Sequence, residues 1–139
     1  MSDVEFTPDA RRVFRVALDD CLAVGDNYRG TQHILLALVT VAPRGSDRFE
    51  SLNRAGVLEA IRETIGFMGP NVVIMGTPGC QTPRTRLIVE VASRNALQQG
   101  RPVTPDDLWS ALLADPESRC RKVLEYLKVD VSELQKLFT

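Results

Sequence analysis

The chain has 139 residues, room for one domain with a real core and little for two, and its 44% apolar and 25% charged residues are ordinary for a globular protein. Its formal net charge is −1 with acids and bases mixed along the chain, so no global field favours nucleic acid or an anionic membrane. No apolar run nears the ~20 residues that span a bilayer, and the acidic start "MSDVEFTPD" lacks a signal peptide's basic and apolar parts, which predicts a cytoplasmic protein.

The first predicted element is a helix opened by Thr7-Pro8, an N-cap followed by proline at the first helical position, where its missing N–H costs nothing. Ala10, Val13, Phe14, Ala17 and Cys21 recur at helical spacing, and Gly25 stands where a left-handed C-terminal cap is expected. A second helix is expected after Thr31 in "NYRGTQHILLAL". It is apolar nearly all round and should be central. Two shorter helices are expected at about 47–55 and 57–66.

Residues 67–80, "FMGPNVVIMGTPGC", set three glycines and two prolines around the apolar run Val72 to Met75. A strand leading to glycine suggests a phosphate loop, but no G-x-x-x-x-G-K-[ST] is present. The segment reads as an ordered linker whose apolar residues pack on one half or on a partner, or pair as a short dimerising edge strand.

The rest of the chain repeats its beginning. "FTPDARRVFRVALDDCLAVG" (6–25) and "QTPRTRLIVEVASRNALQQG" (81–100) share seven of twenty positions; chance at ordinary composition would give about one. After a one-residue slip, Ile34-Leu35 faces Leu108-Trp109 and Ala37-Leu38 faces Ala111-Leu112. Thr82-Pro83 therefore opens a helix with Leu87, Ile88, Val91, Ala92 and Ala96 on its apolar face, and Gly100 closes it. "TPDD" after Val103 starts the next, with Asp106 and Asp107 in its first turn, and short helices follow at about 117–127 and 130–138. The prediction is an all-α domain of about eight helices, a pseudo-twofold duplication of a four-helix repeat: repeat one 6–66, linker 67–80, repeat two 81–138.

Residues for catalysis are scarce. His33 is the one histidine, and its counterpart in the second copy is Asp107, so the duplication does not repeat an imidazole. In the first turn of a buried helix it reads as packed and satisfied, not as a base or a metal ligand. Cys21, Cys80 and Cys120 are odd in number and form no C-x-x-C, which argues against a disulfide framework and structural zinc. Neighbouring carboxylates Asp19-Asp20 and Asp106-Asp107 diverge by about 100° on a helix and make no acid–base pair. Arg11, Arg12 and Arg15, balanced by Asp9 and Asp19, are too small a basic stripe for a DNA-reading helix. The sequence predicts no enzyme, no metal and no cofactor.

With these motifs placed, "FTPDARRVFRVALDDCLAVGDNYRGTQHILLALV" resembles the first repeat of the Clp/Hsp100 amino-terminal domain, of the ClpC/ClpA type, whose pattern runs F-T-x-x-A…G-x-N-Y-x-G-T-E-H-I-L-L-x-L. "QTPRTRLIVEVASRNALQQGRPVTPDDLWSALL" resembles its second repeat. The resemblance implies an all-α double bundle that recruits substrates and adaptors for a Clp unfoldase, here with no ATPase motif in the chain, as an excised domain or a free-standing relative. Its expected partners are proteins or peptides. The alternative is an accessory subunit that docks on a Clp ATPase or protease ring and regulates its assembly.

In ClpC-type members the domain reads phosphoarginine with one pocket per repeat. Carried across, the resemblance implies a first pocket with Thr7 and Gln32 and a second with Thr82 and Asp106 or Asp107. Helix N-termini would offer N–H groups to phosphate, and a carboxylate would clasp the guanidinium. Gln32 departs from the family's glutamate and withholds that charge, a loss on the order of 1–2 kcal/mol.

Overall fold

The computed structural model describes residues 4–24, 28–66 and 80–138, with backbone alone at Tyr28 and Cys80. The expected cap at Gly25 and the apolar run 72–75 lie outside the described residues. The first half holds α1 (Pro8–Ala23), β1 (Tyr28–Arg29), α2 (Thr31–Val41) and α3 (Arg54–Thr64). The second holds β2 (Cys80–Gln81), α4 (Pro83–Gln98), α5 (Pro105–Ala114), α6 (Cys120–Tyr126) and α7 (Val131–Gln135), ending in a 3₁₀ turn over Lys136–Phe138. The fold is the all-α duplication that the sequence predicts.

The longest helices of the two halves, α1 and α4, start for the same reason. Thr7 and Thr82 are extended, each with an Oγ1 that accepts from the backbone N–H three residues on, Ala10 and Thr85, at 3.2 Å. Gly100 closes α4 in the left-handed region at φ +66, where the Arg101 N–H donates back to Ala96 O. Between them α2 and α5 form the centre: Thr31 through Val39 are all buried, as are Leu108, Trp109, Ala111, Leu112 and Leu113. α1 packs on α2, α4 on α5, and the two central helices meet. The Trp109 indole N–H donates to Ala42 O at 2.9 Å, with Phe138 stacked on its ring at 5.7 Å.

Two expectations need correction. The helix expected at 47–55 is absent: residues 47–53 form turns and bends, and Arg54 and Ala55 already belong to α3, because Asn53 is extended and spends its side chain capping α3, accepting from the Gly56 N–H at 2.8 Å. Among the described residues the first half therefore has three α-helices where the second has four. Second, α2 begins at Thr31 itself, with Gly30 as N-cap; the Gly30 N–H donates to His33 Nδ1 at 2.9 Å, and no side chain caps the α2 amides. The second half keeps the expected cap, Thr104.

The halves are stitched across one another. β1 pairs in parallel with β2, Arg29 opposite Gln81, and Phe6 forms a parallel bridge with Val103. The Thr82 N–H donates to Arg29 O at 3.0 Å and the Thr7 N–H to Val103 O at 2.9 Å. So the chain entering the first helix of each half lies beside the chain entering the second helix of the other.

Candidate functional site

This exchange decides which residues meet. The N-termini of α2 and α4 converge on a pocket of about 380 Å³, lined by Gly30, Thr31 and Gln32 from one half and Thr82, Pro83 and Arg84 from the other. Glu117 and Arg119, in the loop after α5, complete its wall. Gln32 is 3% exposed, and its Oε1 has no hydrogen-bond partner among the described residues. A buried carbonyl without a donor costs about 1–3 kcal/mol, which a ligand N–H would recover.

The pocket wall is mixed in charge. Arg84 is tied at both ends, Nη1 to Asp115 at 3.3 Å and Nη2 to Glu117 at 2.9 Å. Arg119 makes no ion pair among the described residues and is exposed. Because the N-cap of α2 is a glycine, its first amides lack a side-chain acceptor and face the pocket end of the helix dipole. An anion there would find amides and Arg119; an N–H donor would find Gln32.

The pairing implied by resemblance is thus exchanged. Gln32 shares its pocket with Thr82, not with Thr7, because β1 pairs with β2. Thr7 sits beside Val103, just ahead of the helix that carries Asp106 and Asp107. Helix position also separates the two aspartates. Counting from the N-cap, Gln32 and Asp106 are both the second residue of their helix, and His33 and Asp107 both the third.

Both aspartates line a second cavity, of about 570 Å³, and both already bond arginines of the chain. Asp106 Oδ2 is bonded to Arg44 Nη1 at 2.6 Å. Asp107 accepts from the Thr104 N–H at 2.8 Å and from both Arg101 Nη atoms, at 2.6 and 2.9 Å. Burial alone would push the Asp107 carboxyl up, but the Arg101 guanidinium and the Thr104 donors outweigh it and hold it below the usual range. Its role is a capping box, the one His33 plays in α2. Thr7 caps α1, and Arg11, Arg12 and Arg15 are solvated.

Cys21 and Cys120 are buried, and burial pushes the Cys120 thiol up to about 11. Sequence reasoning missed Glu117, Arg119, Arg84, Arg44 and Arg101. The signal was present in "ADPESR", a charged loop after α5, but using it required knowing that this loop covers the other half's helix.

No family model matches the chain. Among curated proteins it is 28% identical over 138 residues, 95% of its length, to a probable ATP-dependent Clp protease ATP-binding subunit of Chlamydia pneumoniae. The chain resembles a Clp amino-terminal domain. It spans 16% of that relative's length. In fold it is similar to the N-terminal domain of the Clp-associated chaperone ClpD from Arabidopsis thaliana, with a TM-score of 0.78 at 16% identity over 95% of this chain and 90% of that one. The Hsp104 N-terminal domain of Candida albicans superposes with a TM-score of 0.75 at 14% identity, covering 95% and 87%. Among the described residues no helix of the chain is long and apolar enough to cross a membrane.

Proposed function

We propose that this Clp amino-terminal domain is a non-catalytic, cytoplasmic polypeptide-binding module, and that the α2–α4 pocket recognises an arginine-phosphorylated segment of a substrate or adaptor. The observation that carries the reading is the buried, unpartnered Gln32 Oε1 between two helix N-termini. Phosphoarginine places guanidinium N–H donors next to a phosphoryl anion. The pocket offers an acceptor next to uncapped amides and Arg119. A single pocket per chain is expected, since Asp106 and Asp107 already hold the chain's own arginines. Of the groups that could act catalytically, His33 caps α2 and Cys120 is buried and protonated.

Calorimetric titration with a phosphoarginine peptide, against the same peptide unmodified, tests this. Saturable binding of the modified peptide alone, with one site per chain, is expected. Equal binding of both peptides, or of neither, overturns the tag reading. Ring docking would then be the function to test, by pull-down with an assembled Clp protease. The apolar run that would suit docking, 72–75, lies outside the described residues.

A further inference from the structure

We propose that Glu117 is the residue that receives the guanidinium in the α2–α4 pocket, replacing the charge that Gln32 cannot supply. This rests on the phosphoarginine reading above and names the specificity-determining side chain of that site. Among the described residues that line the pocket, Glu117 is the one carboxylate. Its Oε2 accepts from Arg84, and its Oε1 has no bond among the described residues. Arg84 does not depend on it, because Asp115 holds the same guanidinium through Nη1.

The other half shows that a side chain at this loop position reaches the helix opposite. Glu117 lies three residues past the end of α5, and Arg44 three residues past the end of α2. Arg44 crosses to the second residue of α5 and bonds Asp106 at 2.6 Å, a closed guanidinium–carboxylate pair. The corresponding pair in the pocket is Glu117 and Gln32. Both present acceptors, and among the described residues no donor bonds the Gln32 carbonyl. Two acceptors facing one space, beside amides with no side-chain cap and an Arg119 that has no ion pair among the described residues, define a ligand with a multivalent N–H cation next to an anion. An alkyl phosphate supplies the anion alone; a plain arginine supplies the cation alone.

The test is calorimetric titration of wild type and Glu117→Gln with two peptides of one sequence, carrying phosphoarginine or phosphoserine. Glu117 is 74% exposed at its side chain, so the fold should hold; unchanged thermal melting confirms it. The expected result is a loss of roughly fivefold in phosphoarginine affinity, moderated by solvent screening, with the weaker phosphoserine affinity unchanged. Adding Gln32→Glu to Glu117→Gln should restore the preference. If Glu117→Gln binds phosphoarginine as tightly as wild type, or weakens both peptides alike, the assignment to Glu117 is overturned. If wild type binds neither peptide, the tag reading itself has failed, and the assignment falls with it.

Discussion

Asp107 shows how a residue can carry charge in a recognition segment and still serve only the fold. It is 8% exposed and takes donors from Thr104 and Arg101, the arrangement that closes the first turn of α5. Replacing it with asparagine would keep the shape but surrender the charge on the Arg101 fork and should cost about 1–2 kcal/mol. Its depressed pKa also sets the sign of a pH effect. The ionised form is favoured by folding, so its contribution is fully present above the ordinary carboxylate value of about 3.9 and fades as pH falls through the lower native value. Urea melts from pH 6 down to about 2.5 should therefore converge for wild type and Asp107→Asn at the acid end. Curves that stay parallel would show that the carboxylate contributes nothing beyond its shape.

The helices differ in how far their causes are local, and that governs what the sequence reveals. α1 and α4 are legible because a threonine cap, a proline and an apolar stripe sit within a few residues of one another. The turn region 47–53 misleads because Asn53 caps the next helix, and α6 and α7 are parted by Lys128, held at φ 58. At the site, the caps Thr7 and Thr82 are equally local, whereas the meeting of Thr82 with Gln32 is set by a hydrogen bond between residues 29 and 82, which no periodicity encodes. Among the central elements, α5 is fastened to the loop after α2 by Trp109, fully buried and bonded to Ala42 O. Trp109→Ala should cost about 3–5 kcal/mol, as cavity and lost donor combine. Trp109→Phe should cost less, since most of the apolar volume stays while the Ala42 carbonyl loses its partner. Circular dichroism in urea measures both, because the variants remove the chain's one tryptophan.

At the scale of the molecule, duplication did not yield two independent units. Each central helix is buried on all sides along most of its length, and α2 and α5 pack on one another as well as on α1 and α4. A half taken alone would expose that shared face and lose the Phe6–Val103 and Arg29–Gln81 pairings, since the β1–β2 sheet has a strand from each half. The α2–α4 pocket would vanish too, since its walls come from both halves. Fragments 1–66 and 67–139, expressed separately, should each lack a cooperative urea transition, because the apolar surface left uncovered cannot offset the entropy of ordering the chain. Mixed, they should regain helicity and bind the phosphoarginine peptide with the affinity of the intact chain. A cooperative transition in fragment 1–66 alone would mean that the first half is self-sufficient and that the crossed hydrogen bonds position the site without holding the fold.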